Sequence, residues 1–444
     1  MRELTKSALS ASLAMPLFGL QQMANLMRAP GGVSSALDHV TKAAEGSLGG
    51  AMQRLFQTGD RLQKGAVDLA SAVFDPKLYD PATIAELVGE VAERSAAGVR
   101  VALSGSSVAA LEAIWLKIEV FRLVQQVAKL IGVPEAPPFP PLRKLVDAAY
   151  ALGDYRALWA IEGLGHDYAK SFFQQGIAPH GILSVEKTPD LPAESLTMLN
   201  AGIGLAFAEN RLQGLAATPY EEVRRRVAEV VALCRDNVRP GYFGAAVEQI
   251  GLYPNVFNSQ VLRPVERAIR EVAPEVLGFF WHGVGRSTYF KPINFLPCSD
   301  WQLFESLRRQ APDEPARLSA HAGVAWAYTL LNQQKPQIMA ELLIGPHGAA
   351  LARDGGFVNG LQSALIMRHD ITPNAPFIAT FCGYRARGCE ELWDRLVRTP
   401  CRQALEVCHP VLKQQNRLGD IFEYHDLRAH VEQLASSPGG GGSR

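Results

Sequence analysis

Trp281-His282-Gly283-Val284-Gly285 is an apolar-Gly-apolar-Gly stretch that the chain repeats. Further copies are Ile161-Glu162-Gly163-Leu164-Gly165 and Asn200-Ala201-Gly202-Ile203-Gly204, with weaker ones around Gly244, Gly323 and Gly360. The marked glycines 163, 202, 244, 283, 323 and 360 are 39, 42, 39, 40 and 37 residues apart. A step of roughly 40 residues is that of helix-pair arrays. Glycine costs a helix about 1 kcal/mol relative to alanine, so six recurrences need compensation. Close helix–helix approach supplies it, because a side chain there would hold the backbones apart. Glycines two apart lie on different sides of a turn, as expected for a helix packed between two neighbours. The alternative is a glycine-lined groove that admits a ligand to the backbone.

Working outward, no stretch from Leu142 onward sustains strand alternation, and helix starts are legible. Thr218-Pro219-Tyr220-Glu221 and Ser299-Asp300-Trp301-Gln302 both fit a capping box. The expected fold class is all-α: a helix-pair, solenoid-like array over 142–435, preceded by amphipathic helices over 1–132. Pro134-Glu135-Ala136-Pro137-Pro138-Phe139-Pro140-Pro141 cannot continue a helix, so residues 133–141 read as a linker between domains. Residues 436–444, rich in glycine, read as a flexible tail.

Two amino-terminal stretches are amphipathic. Leu9, Leu13, Leu17, Leu20, Ala24 and Met27 recur at helical steps, with Pro16 as a kink. Leu48, Met52, Leu55, Gly59, Leu62, Ala66, Leu69 and Val73 form a heptad seam suited to self-association or to an apolar surface. Asp80-Pro81 opens a further helix. The first 75 residues resemble the phasin type of granule-coating sequence in composition. Arg2 and Lys6 precede a Ser- and Ala-rich stretch that outlines a signal peptide, but Ser7, Ser10, Ser12 and Pro16 interrupt its apolar segment. A cytoplasmic protein is expected, with peripheral contact to a membrane or inclusion.

Composition narrows the function classes. Hydrophobic residues make up 48% and charged residues 20%, which is ordinary for a globular chain. Lys+Arg and Asp+Glu are both 44, which removes a broad electrostatic footprint, so no nucleic-acid partner is expected. Arg224-Arg225-Arg226 reads as a solvated helix face. Six cysteines without a C-x-x-C suggest buried thiols. Cys382/Cys389 and Cys401/Cys408 are each seven apart, one helix face per pair. No motif assigns a metal or a cofactor. There is no G-x-S-x-G, no H-E-x-x-H and no nucleotide-binding fingerprint.

Candidate chemistry gathers on the opening stretch. His282, Arg286 and Tyr289 share a helix face at spacings of four and three. They form a candidate catalytic set, with His282 as acid or base and Arg286 as an anion clamp. The bland alternative is a hydrogen-bonded histidine between helices, with Arg286 paired to an acid. Glu162 and His166 stand four apart and can hold one another or share a metal; no second Glu-x-x-His element supports a metal centre. The residue before each marked glycine would line one concave ridge if the repeats stack, which nominates Glu162, His282 and Asn359. His321, in the copy around Gly323, is a further ligand-binding candidate. Arg368-His369-Asp370 reads as a charged helix terminus.

His282-Gly283-Val284-Gly285-Arg286, followed by Tyr289-Phe290, resembles a family of uncharacterised bacterial proteins found beside enediyne-type polyketide genes. That family carries similar Gly-x-Gly segments and a G-(I/V)-G-R-x-(L/Y)-(W/F) element. The resemblance covers about residues 142–410 and implies an accessory role in handling apolar, polyene-like molecules. Two functions follow as expectations. One is a binding protein for an apolar small molecule or protein partner, attached to a surface or self-associating as a homo-oligomer. The other is an enzyme acting on a polyketide- or fatty-acyl-like substrate.

Overall fold

The computed structural model describes residues 116–117, 119–120, 122–133, 140–291 and 301–436. The amphipathic amino-terminal stretches, the helix expected at Asp80-Pro81, the proline run 134–139, Ser299 and Asp300 of the second capping box, and the tail from 437 lie outside them. The chain divides into two compact units, Met1–Ile118 with Pro292–Ser299, and Glu119–Lys291 with Asp300–Arg444. The division precedes the proline run because residues 122–130 pack on the second unit: a β-carbon at Gly163 would meet the Val124 carbonyl and the Val127 side chain. That helical stretch ends at Gly132, at φ +71°, where Val133 N–H bonds back to the Ala128 carbonyl.

The second unit is all-α, with no strand among the described residues. Its helices are α1 (Leu142–Tyr150), α2 (Asp154–Gln174), α3 (Leu196–Leu212), α4 (Tyr220–Asn237), α5 (Gln249–Phe257), α6 (Leu262–Val272), α7 (Leu277–Phe290), α8 (Trp301–Gln310), α9 (Glu314–Asn332), α10 (Pro336–Ile344), α11 (Gly355–Ile371), α12 (Pro376–Gly383) and α13 (Leu427–Ser436). Their starts are set locally. Asp313 accepts from Ala316 N–H at 2.9 Å and Asp354 from Phe357 N–H at 3.1 Å, capping α9 and α11. Thr218 caps nothing: Pro219 takes the position before α4, and the Thr218 hydroxyl donates to the Leu215 carbonyl instead.

Glycines lock a central series α2, α3, α5, α7, α9 and α11. In four cases a β-carbon on the marked glycine would land on a carbonyl of the preceding helix in the series: Gly202 on Glu162, Gly283 on Glu248, Gly323 on His282 and Gly360 on Ala322. The second glycine of each pair faces the following element, Gly165 on Leu199, Gly204 on Ala246 and Gly285 on Ala320. Gly244 departs from the pattern and packs against Gly419 and the Phe279 ring. α9 and α11 run the same way, since Gly356 meets Leu318 while Gly360, one turn on, meets Ala322.

The series curls back on itself. Tyr155 of α2 donates to the Leu331 carbonyl of α9 at 3.0 Å, and Arg368 of α11 donates to the Asp154 carbonyl at 3.0 Å. The Trp159 and Phe290 rings meet edge to face at 6.0 Å. An open solenoid would confine contacts to neighbours; these join its first helix to its fourth, fifth and last. Arg368-His369-Asp370 does close α11 as a charged terminus, with Arg368 and Asp370 buried. Arg368 lies over the rings of Tyr155 and Phe377, and burial lowers its guanidinium to about 10. The Arg224–Arg226 run is solvated as expected, each arginine paired with a glutamate three or four residues away.

Residues 390–414 form one helical run with π-turns at Asp394–Arg398 and Ala404–Cys408. Each precedes a proline, Pro400 or Pro410. A proline ring clashes with the carbonyl four residues earlier, and widening that turn relieves the clash. Cys401 and Cys408 are both buried within this run, whereas Cys382 lies in the last turn of α12 and sits beside Cys401 rather than sharing a helix face with Cys389, which lies beyond α12.

Candidate functional site

The opening stretch supplies the centre of the unit. His282 and Arg286, one turn apart on α7, point toward the same carboxylate. Glu248, just before α5, places Oε1 2.6 Å from His282 Nδ1 and accepts from Arg286 Nη1 at 3.0 Å through Oε2. Arg286 Nη2 reaches across the unit to Glu162 Oε1 of α2. The guanidinium lies 4.6 Å from the Trp326 ring centre, and the His282 ring is edge-on to Trp326 and Phe422. Exposure is 0% for His282 and Glu248 and 2% for Glu162 and Arg286.

Two carboxylates meet one guanidinium here, so neutrality requires one more proton within the group. Burial raises the Glu162 carboxyl above its ordinary value against the pull of Arg286, which disposes it to take up that proton. A buried charge group of this kind braces helices that share it, because removing one member strands the others without solvent. Chemically it has the parts of an acid–base centre, a carboxylate-oriented imidazole beside a guanidinium. It lacks exposure at every one of its four side chains.

The structure unites three of the seven expected site residues and separates the rest. Tyr289 turns away from Arg286, accepts from Asn332 Nδ2 at 3.1 Å and meets the Tyr328 ring. It lies two turns beyond His282 along α7, near the end of α9. Glu162 and His166 do not hold one another; His166 Nε2 pairs with Glu209 Oε2 at 2.6 Å and its Nδ1 approaches Asp167. Burial opposes charge on His166, yet Asp167 and Glu209 outweigh it and raise its pKa. His321 bridges Asp354 Oδ2 at 2.8 Å and the Phe304 carbonyl at 3.0 Å. Asn359 donates to the His425 carbonyl at 2.6 Å. The expected ridge of Glu162, His282 and Asn359 is not formed. All three are buried, and the curling of the series turns their positions to different neighbours. Glu248 was not among the expected residues, although a lone acid inside the apolar run Gly244–Gly251 is a signal for it.

The outlying pairs have a consequence for acid stability. Burial would raise Glu209, but His166 and Lys170 hold it down to about 2. Asp354 likewise stays at about 2 between His321 and Arg317. Both values lie below those of an unfolded chain, so each group's stabilisation is present at neutral pH. It is lost as pH falls through the folded value. Each contributes on the order of 2 kcal/mol, and urea midpoints should fall between about pH 5 and pH 2. Glu209→Gln should flatten that profile while lowering the neutral-pH midpoint; an equally steep profile would discount the pairing.

Compared with known proteins, the chain matches no family model, no curated protein and no solved structure.

Proposed function

We propose that the protein is a binding or accessory protein for an apolar ligand or partner, and that the central charge group braces it rather than performing chemistry. One observation carries this reading: His282, Arg286 and Tyr289 are 2% exposed or less. His282 and Arg286 are bound by acids of neighbouring helices and Tyr289 by Asn332. An enzyme's working groups must reach a substrate. Four large apolar side chains are exposed among the described residues, Ile177, Val185, Ile344 and Val407. The contact is assigned to the heptad seam read in the sequence of residues 48–73, which would attach the chain to a membrane, an inclusion or a second copy. No described helix is long and apolar enough to cross a membrane. A polyene-like molecule is the ligand class that the family resemblance supports.

The test uses the full-length chain. Leu55→Asp, Leu62→Asp and Leu69→Asp together should reduce co-sedimentation with anionic vesicles or isolated granules by roughly tenfold, with the circular dichroism spectrum otherwise folded. Partitioning equal to that of the unmodified protein removes the attachment. Mass spectrometry of organic extracts of the purified protein then identifies the cargo. The enzyme reading keeps one supporting detail, that His282 Nε2 and Arg286 Nε have no hydrogen-bond partner. It would gain ground if a fatty-acyl or polyketide thioester were turned over and His282→Gln abolished the turnover.

A further inference from the structure

Asp420, His425 and His430 stand five residues apart each, in a segment that none of the expected site residues belongs to. Asp420 lies in the 3₁₀ turn Leu418–Phe422, His425 in the connection that follows, and His430 one turn into α13. One ligand atom from each lies within 4.8 Å of the others. His430 Nε2 is 2.7 Å from Asp420 Oδ2. Glu423 Oε1 is 3.2 Å from His425 Nε2, a buried nitrogen that makes no well-directed hydrogen bond.

We propose that Asp420, His425 and His430, with Glu423 as an adjacent fourth donor, bind a divalent transition-metal ion of the zinc type. Two imidazoles and one or two carboxylates are a borderline nitrogen–oxygen set. It favours zinc or cobalt over calcium and magnesium, which prefer oxygen alone. Two ligand bonds of about 2.0–2.1 Å meeting at the tetrahedral angle place their donor atoms roughly 3.3 Å apart. Asp420 Oδ2 and His430 Nε2, 2.7 Å apart across a hydrogen bond, need separate only by about half an ångström to form one edge of such a shell.

His425 completes the shell by turning. Its ring stacks on that of His430, centroids 4.2 Å apart and planes 6° from parallel. Parallel rings cannot aim in-plane lone pairs at one point, so loading swings the His425 ring out of the stack. The backbone need not follow. Asn359 Nδ2 holds the His425 carbonyl at 2.6 Å, Gly419 N–H donates to the Gly241 carbonyl at 2.7 Å, and Asp426 caps α13 through Ala429 N–H at 3.1 Å. Arg417 grips Asp420 with Nε 3.1 Å from Oδ1 and 2.9 Å from Oδ2, and Nη2 2.8 Å from Oδ2. For the ion to take Oδ2, Arg417 must release that oxygen and keep Oδ1, from where it orients the carboxylate as an outer-shell group.

The test is cobalt titration of the full-length, chelator-treated protein. Expected are one equivalent bound, a visible d–d band between about 500 and 650 nm for a nitrogen–oxygen shell of low symmetry, and competition by zinc. His425→Gln, His430→Gln and Asp420→Asn should each weaken binding roughly a hundredfold or more. His180→Gln, whose histidine is exposed and pairs only with Asp236, should bind like the parent protein. His430→Gln and Asp420→Asn break a partly buried pair, so circular dichroism accompanies each. His425→Gln, which breaks no short hydrogen bond of its side chain, decides if they unfold. Absence of the band, or a His425→Gln protein that titrates like the parent, overturns the site.

Discussion

Arg286→Met should cost about 3–5 kcal/mol of unfolding free energy, the loss expected when one partner leaves a buried ionic group. The guanidinium pairs with both Glu162 and Glu248. Methionine fills its volume and supplies none of its charge. Two buried carboxylates are then left without their shared cation, and the Glu162 carboxyl, already raised by burial, loses the charge that opposed the rise. A group raised in this way is tolerated below its unfolded value and destabilises progressively as pH climbs through the raised value. The variant should therefore regain stability as pH falls from 7 toward 5, opposite in sign to the loss expected from Glu209 and Asp354. Adding Glu162→Gln and Glu248→Gln to Arg286→Met should restore most of the midpoint at pH 7. Urea unfolding followed by circular dichroism reads all three proteins. A catalytic arginine predicts a different pattern, because removing a strained functional charge commonly leaves stability unchanged or higher. An unaltered midpoint in Arg286→Met would therefore argue for chemistry over bracing.

Gly285→Val is the second large effect. A β-carbon at 285 falls on the Ala320 carbonyl oxygen, and neither atom can swing aside, since both belong to helix backbone. The helices must separate, which opens the contacts around His282 and Gly323 on the same interface. A loss of about 3 kcal/mol is expected, at the upper end for overpacking, with a melting temperature lower by roughly 10 °C. Gly383→Ala is the matched comparison. Gly383 ends α12 with nothing within 4 Å of a β-carbon, so its melting temperature should move by no more than about 2 °C. If the two variants melt together, close approach is not what the recurring glycines provide.

The helices and the purpose of the glycines were legible because both are local demands. A glycine that must touch a neighbouring carbonyl returns at steps of 37 to 42 residues, and in three copies a second glycine two residues on serves the other side. His282 and Arg286 were legible as a pair, since four residues make one turn. What joins them was not. Glu162 stands 124 residues from Arg286, and only the curling of the series brings them together. The ridge expected through Asn359 assumed that equivalent positions stay aligned, and a series that turns from helix to helix breaks that alignment. Tyr289 failed for a smaller reason: it lies two turns beyond His282 along the helix, where Asn332 and Tyr328 near the end of α9 take it. The Asp420–His425–His430 cluster bends through a 3₁₀ turn and a connection before α13, so no single periodicity marks it. The π-turns before Pro400 and Pro410 leave only the prolines as a trace.

The long reach from Glu162 to Arg286 also sets an order of events during synthesis. A ribosome adding about 5–20 residues each second delivers Arg286 roughly 6–25 s after Glu162, given their separation of 124 residues. Through that interval the carboxylate has no guanidinium to meet and is cheapest left in water. The early helices are thus kept from sealing prematurely by their own acid. A longer tie, from Arg368 to the Asp154 carbonyl 214 residues earlier, waits longer still, so the emerging polypeptide stays unlatched until most of it has been made.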